Sequence, residues 1–557
     1  MLKRLLLIPL LMGPISLAAQ EPVTIQVHTD EPDEAFNAIW AYFGHDEPNY
    51  TYSRDGRRLL HELSAISASR VHIRTHNLLT SGDGTPALKW GSTNVYTEDA
   101  TGRPVYNWTI IDRIFDTYRD SGITPYVEIG FMPEALSTHP KPYRHHWPDG
   151  PLYTGWSYPP NDYKKWEELI YEWVKHSIDR YGRKEVESWD WEVWNEPNGG
   201  HNYWHGSVEQ YCKFYDYTAA GVKRALPDAK VGGPATTGPA GPEAATFLQT
   251  FLAHCAKGKN YVTGKTGSPI DFISFHAKGR THFVNGSVEM DIGQNLRDID
   301  DGFAIVASYP TLRSLPIVIS ESDPEGCAAC LAMTHPENGY RNTTQYASYE
   351  ADLLFDSVAL AQRHHVNLQG TVTWAFTFPG QPYFAGFRAL ATHEIDKPIM
   401  EVFRMLGLMG AERIKAESSG AVGLESVLDS SVRKTDDIDV FATHDGRKTS
   451  ILVWNYNDEA TAESATPVTL TVDGLPETHS KVLMKHYRID DHHSDSYAAW
   501  LAMGSPQEPS PEQYFHLKAA GQLQLLESPH WVKTQNNTVR LRFTLPRQAV
   551  SLVELTW

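Results

Sequence analysis

Between residues 36 and 410 the chain alternates short apolar runs with longer amphipathic ones. The apolar runs fall at residues 38–43, 71–76, 125–129, 189–196, 230–233, 271–276, 316–321 and 370–375. Runs this short, bounded by polar and turn residues, predict buried strands. Between them lie helical patterns, the clearest over residues 161–181. There Tyr163, Trp166, Leu169, Ile170, Trp173, Val174 and Ile178 recur at three- and four-residue steps and build one apolar face. Gly182 follows as a stop signal. Residues 352–364 read as a second helix. Eight strand–helix units predict an α/β fold, a (β/α)8 TIM barrel. A doubly wound open sheet is the competing fold, but no strand is followed by G-x-G-x-x-G or a Walker loop.

The pattern changes after residue 410. Residues 449–454, 468–472, 481–488 and 539–545 alternate apolar with polar positions, and helical periodicity is sparse outside 511–520. This predicts an appended β-sandwich domain over residues 411–557. The barrel has no need of the short run at 23–27, so residues 20–35 are expected to add an N-terminal strand to the sandwich. No low-complexity linker separates the two parts.

Residues 1–19 carry a basic start (Lys3, Arg4), an apolar stretch too short to span a bilayer, and Ser16-Leu17-Ala18 as small residues at a cleavage position. They read as an export signal, which places the mature protein in the periplasm or outside the cell. The formal charge of −19 argues against nucleic acid and against anionic membranes as partners. The four cysteines are too few for a disulfide scaffold. Cys327 and Cys330 stand as a C-x-x-C pair, open to reading as a zinc half-site, a redox pair, a loop disulfide or two free thiols.

Two predicted strands end in glutamate. The fourth closes in "WDWEVWNEPN" at Glu196, and the seventh in "VISESDPEG" at Glu321. Each is soon followed by proline, which stops a ladder. Strand C-terminal ends form the mouth of such a barrel, where chemistry sits. A strand-end glutamate is commonly just solvated. Two of them, on the fourth and seventh strands, make a facing carboxyl pair of the kind that cleaves glycosidic bonds.

"IRTHNLL" (73–79), "VWNEPN" (193–198), "ISFHAKG" (273–279), "SESDPEG" (320–326) and "TWAF" (373–376), in this order, resemble glycoside hydrolase family 39. The resemblance covers essentially the mature chain. It implies a retaining, exo-acting glycosidase with Glu196 as acid/base and Glu321 as nucleophile, and with no cofactor and no metal. It also implies that Asn195 binds a sugar 2-hydroxyl and that the Trp374–Ala375 peptide is cis. His76 and His276 end strands, His76 as a sugar-hydroxyl partner or a satisfied core histidine. Trp374 is expected to floor the sugar site. Arg74 shares the inward face with His76 and is read as a buried charge near the carboxylates. The family contains β-xylosidases and α-L-iduronidases. Lys278 departs from the xylosidase pattern, and would bind a uronic carboxylate or pair with an acidic neighbour. Arg388 is a second candidate anion contact. The expected substrate is an oligosaccharide or glycoside, with β-xylosides first. Uronic or arabinose-type glycosides come second, and a non-catalytic carbohydrate-binding barrel is the reading from another class. The clustered histidines of 139–147 fit no standard metal spacing and are read as aromatic loop packing.

Overall fold

The computed structural model describes residues 21–557, apart from 89, 143, 146–151, 154, 200–202 and 462–464. The proposed export signal and part of the 139–147 tract lie outside the described residues. His139 stacks on Tyr158 at 4.6 Å. Among the described residues no helix is long and apolar enough to cross a membrane.

Eight parallel strands close a barrel: β2 (Tyr42–His45), β3 (His72–Thr75), β4 (Thr124–Ile129), β5 (Asp190–Val193), β6 (Lys230–Thr236), β7 (Phe272–Lys278), β8 (Pro316–Asp323) and β9 (Asn367–Trp374). The eighth barrel strand returns to the first through Val372 opposite Tyr42. Each strand feeds one outer helix: α1 (Arg54–Ser64), α2 (Thr109–Asp120), α3 (Tyr163–Tyr181), α4 (Val208–Ala225), α5 (Pro242–Lys257), α6 (Ile292–Ala307), α7 (Thr344–His364) and α8 (Pro398–Gly407). Helix α3 starts where the Asp162 carboxylate accepts from the Lys164 and Lys165 N–H groups, and ends at Gly182, whose φ of 89° suits a residue without Cβ.

Two of the expected elements start four or more residues away from the expected position. The first strand begins at Tyr42, because Ile39, Trp40 and Ala41 pack as a buried lead-in rather than as a ladder. Helix α7 starts eight residues before 352. Its first turns bury Gln345, Tyr346, Tyr349 and Glu350 alongside apolar residues, so no single apolar stripe marks them.

The tryptophans of "WDWEVW" face outward. Trp191 meets Trp173 of α3 edge-on at 5.3 Å, and Trp189 packs on Phe115 of α2 at 5.1 Å. Period-two alternation then sends Asp190 and Glu192 into the barrel interior. The same residues that nail β5 to its helices therefore load the barrel with charge.

Apart from four short two-stranded pairs, the remaining strands among the described residues form one continuous sheet of nine. It contains β1 (Val23–Ala35), β10 (Glu412–Ser418), β11 (Asp437–Asp445), β12 (Lys448–Tyr456), β13 (Thr466–Asp473), β14 (Lys481–Ile489), β15 (Gln524–Lys533), β16 (Val539–Leu545) and β17 (Val550–Thr556). β1 runs antiparallel to β10 and parallel to β13. Ile25, Val27, Ile414, Val440, Val453, Leu470, Val482, Val539 and Val553 share one apolar core. Strands from both halves of the sheet meet there, so the sheet curls on itself as a sandwich. The opposite face of the sheet docks on the barrel through Phe441 and Trp454, which stack on Phe355 of α7.

Candidate active site

The fourth barrel strand stops at Val193, three residues before Glu196. The correction has a backbone cause. Trp194 and Glu196 adopt φ of 75° and 44°. This region costs a residue bearing Cβ about 1–3 kcal/mol unless its surroundings hold it. Here they do. The Trp194 indole donates to the Tyr203 carbonyl at 2.7 Å, and the Glu196 N–H donates to Ala235 O at 2.9 Å. Asn198 and Thr237 exchange two hydrogen bonds across the same turn. The two left-handed residues break the strand's alternation, so Asn195 and Glu196 both reach the mouth. β8, by contrast, continues through Glu321 to Asp323, with a register shift against β7 at Ser320.

Glu196 and Glu321 meet at His276. The ring Nδ1 lies 3.0 Å from Glu196 Oε1 and 3.8 Å from Glu321 Oε1. One oxygen of each carboxylate and one ring nitrogen all lie within 4.8 Å of one another. The two carboxyls differ in their surroundings. Glu321 receives Arg74 Nη1 at 3.1 Å on Oε1 and Lys278 Nζ at 2.7 Å on Oε2, with His76 at 3.5 Å. Burial alone would raise its pKa. Lys278, His276, His76 and Arg74 together outweigh burial and hold it well below the usual carboxylate range. Glu196 has His276 as its ionisable neighbour, and its side chain keeps 19% exposure against 10% for Glu321.

Below this pair lies a buried charge layer. Arg74 donates to Glu192 at 2.6 Å and to Asn195 Oδ1 at 2.9 Å. The Tyr126 hydroxyl donates to Glu192 at 3.1 Å. His76 stands between Asp46 at 2.7 Å and Glu128 at 2.8 Å. Burial works against a charged imidazole here, but the two carboxylates win and its pKa rises well above the ordinary value. The three-residue set Glu196, His276 and Glu321 has the donor types of a metal site. Both Glu321 oxygens, however, already face cations, which oppose an added positive ion.

Comparison with known families matches residues 23–533 to glycosyl hydrolases family 39. The chain belongs to this family. It is 29% identical over 453 residues to a beta-xylosidase of Caldicellulosiruptor saccharolyticus, covering 79% of this chain and 82% of that one. It is 25% identical over 574 residues to an alpha-L-iduronidase of Mus musculus, covering 97% and 81%. Among solved structures, a monomeric beta-xylosidase from Caulobacter crescentus CB15 superimposes with a TM-score of 0.75 at 22% identity, over 96% of this chain and 99% of that one. The protein is a glycosidase of family 39.

The structure brings most of the expected residues together at the barrel mouth. Arg74, His76, Asn195, Glu196, His276, Lys278 and Glu321 form one connected cluster. Trp374 lies beside it, its ring 4.5 Å from the His76 ring and 5.3 Å from the Arg74 guanidinium. His76 does not await a sugar hydroxyl, because both ring nitrogens face carboxylates. Arg388 is not a cleft residue. Its side chain is fully buried, 2.6 Å from Asp323. Lys278 bridges Glu321 and Asp323. The Trp374–Ala375 peptide is trans; the Ala375 N–H continues the ladder to Gly44 O at 2.8 Å. The cis peptides among the described residues are Gly130–Phe131 and Gly233–Pro234. Cys327 and Cys330 form a disulfide in the loop after β8.

Sequence reasoning passed over Asp46, Glu128, Glu192 and Asp323. Period two offered a signal for the last two. Glu192 and Asp190 share one face of β5, and Asp323 shares a face with Glu321. Asp323 accepts the Trp374 N–H at 2.8 Å, tying β8 to the end of β9.

Proposed function

We propose that the protein is a retaining exo-glycosidase acting on β-xylosides, with Glu321 as nucleophile and Glu196 as acid/base. The carrying observation is the carboxyl pair, whose nearest polar atoms lie within 4.8 Å through His276. Retaining enzymes hold the two carboxyls about 5–5.5 Å apart, and inverting ones about 6.5–9.5 Å to admit water. The asymmetry of charge supports these roles. Glu321 is held as an anion by Lys278 and Arg74 and attacks the anomeric carbon. Glu196 gives its proton to the leaving oxygen, then as a carboxylate takes one from water. Asn195, its oxygen fixed by Arg74, keeps its amide nitrogen for the 2-hydroxyl.

Two points support xylose. The beta-xylosidase of Caldicellulosiruptor saccharolyticus matches at 29% identity. The two cations that would suit a uronic carboxylate are committed to protein acids, Lys278 to Glu321 and Asp323, and Arg388 to Asp323. A uronide substrate is the second reading. It is favoured by the match to the mouse alpha-L-iduronidase and by the 18% of its side chain that Lys278 leaves exposed. Arabinose-type glycosides remain within the same mechanism. Release from non-reducing ends and export from the cytoplasm belong to the same proposal. The Cys327–Cys330 disulfide supports export, since disulfides persist in oxidising compartments.

The test incubates the purified protein with nitrophenyl β-D-xyloside, α-L-arabinofuranoside and α-L-iduronide and follows the first-formed anomer by NMR. The proposal expects turnover of the xyloside with retained configuration. Glu321→Gln should lower kcat on the order of 10⁵-fold, and Glu196→Ala should spare substrates whose leaving group needs no proton. Turnover of the iduronide alone overturns the sugar. An inverted first product overturns the nucleophile. Sugar binding without turnover would make this a binding barrel.

A further inference from the structure

Behind Glu321 the acids and bases alternate in sign along one buried line. Lys278 Nζ reaches Glu321 Oε2 at 2.7 Å and also meets Asp323 Oδ2. The same Asp323 oxygen lies 2.6 Å from Arg388 Nη1. Arg388 Nη2 stands 3.9 Å from Glu325 Oε1, and that oxygen pairs with Arg341. Arg341 is fully buried, and its guanidinium also donates to the carbonyls of Cys327, Ala328, Cys330 and Gly386. The Arg341 end of the line is thus caged by the disulfide loop. Burial alone would raise the Glu325 carboxyl, but Arg341 and Arg388 hold it well below the usual range.

Two links of this line are shared, and sharing transmits. Lys278 is divided between Glu321 and Asp323, and Arg388 between Asp323 and Glu325. If Glu325 loses Arg341, it draws Arg388 toward itself. Asp323 is then less neutralised and draws Lys278 away from Glu321. If Glu325 loses its charge, Arg388 falls to Asp323 alone, and Lys278 is released toward Glu321.

We propose that Arg341 and Glu325 are positioning residues that set, through Arg388, Asp323 and Lys278, how firmly Glu321 is held ionised. This rests on the reading of Glu321 as nucleophile. The other charged groups facing Glu321 are Arg74 of β3, His76 just beyond it, His276 of β7 and Glu196. Glu128 and Glu192 neutralise Arg74 and His76 from behind. None of these belongs to the line, so its effect is separable from theirs.

The test is the pH profile of kcat/KM on the best glycoside, with Glu321→Gln as the first control. Arg341→Gln should move the acid limb to higher pH and lower kcat roughly 2- to 30-fold, the range of network mutations remote from a site. Glu325→Gln should move the limb the other way. Both shifts should collapse in a Lys278→Met background, since the line passes through that amine. A purely structural role would lower thermal stability and move both limbs alike or not at all, and that overturns the proposal. Shifts that survive Lys278→Met also overturn it, because they would report a general field. Should Arg341→Gln fail to fold, Cys327→Ser/Cys330→Ser loosens the same cage, and an unmoved acid limb there counts against the line. If Glu321→Gln keeps full turnover, the nucleophile reading falls and the line falls with it. If Glu321→Gln is dead and the limbs do not move, the line alone falls.

Discussion

Two buried regions of this molecule are crowded with carboxyl groups, and they solve the problem in opposite ways. At the barrel mouth Asp46, Glu128, Glu192, Glu321, Asp323 and Glu325 are interleaved with Arg74, His76, Lys278, Arg341 and Arg388. Between barrel and sandwich, Asp352 and Asp356 of α7 face Asp437 and Asp439 of β11 with few cations near. Asp352 takes the Trp454 indole N–H at 3.0 Å and shares a hydrogen bond with Asp437. Asp437 and Asp439 otherwise accept backbone N–H groups. Burial works to raise the pKa of Glu321 and Glu325 at the mouth and of Asp352, Asp356, Asp437 and Asp439 at the interface. At the mouth cations overcome it for Glu321 and Glu325. At the interface it wins, and neighbouring acids add to it for Asp352, Asp356 and Asp437. Asp356 is pushed up to about 7, Asp439 to about 6, and Asp352 and Asp437 well above the ordinary value. Burial therefore does not by itself decide whether a carboxyl serves as an anion. The supply of matched cations decides it.

Removing a charge should hurt at the mouth and help at the interface. Arg74→Met would strand Glu192 and Glu321 without their shared guanidinium, and breaking a buried pair costs about 3–5 kcal/mol. Urea denaturation at pH 7 reads this directly, and a loss under about 1 kcal/mol would mean that the mouth is not held by its ion pairs. Asp356→Asn tests the other side. A carboxyl whose folded pKa is raised contributes stability that is complete below its unfolded pKa and lost as pH rises through the folded value. For Asp356 the window runs from about 4 to about 7. The asparagine variant should match the wild type near pH 4 and exceed it at pH 8 by on the order of 2 kcal/mol. Equal urea midpoints for the two proteins at pH 8 would show that Asp356 carries no such penalty.

The two regions also differ in how far the sequence announced them. The carboxyl pair was legible because Glu196 and Glu321 close apolar runs before prolines. Arg74 was legible from its period-two relation to His76. Lys278 and Arg388 were legible as cations near the mouth, but not by partner, because the predicted strand stops at Glu321, two residues short of Asp323 at the end of β8. The turn at Glu196 was visible as a proline stop. Its left-handed residues were not, since Trp194 and Glu196 are poor candidates for positive φ and hold it only through tertiary hydrogen bonds. The interface acids gave no signal. Asp352 and Asp356 lie in the stretch read as a helix, and Asp437 and Asp439 fall outside every strand run read after residue 410. Their burial follows from the docking of the sandwich on α7, which no local pattern encodes.

The smallest expected effect is also the one that resolves the interface chemistry. Trp454 does two things at once: its ring stacks on Phe355 at 5.3 Å, and its N–H donates to Asp352. Trp454→Phe keeps an aromatic ring against Phe355 and deletes only the donor. A single hydrogen bond to a buried group is worth about 1 kcal/mol. The indole favours the ionised form of Asp352, acting against burial and the charges of Asp437 and Asp356. Its loss should therefore cost less at pH 5, where the carboxyl is protonated, than at pH 8, where ionisation is forced closer. Thermal unfolding across that range gives the answer. A cost that grows with pH places the proton on the Asp352–Asp437 pair. A cost that is flat in pH would assign Trp454 to packing alone, and would leave the proton to the Asp356–Asp439 side of the interface.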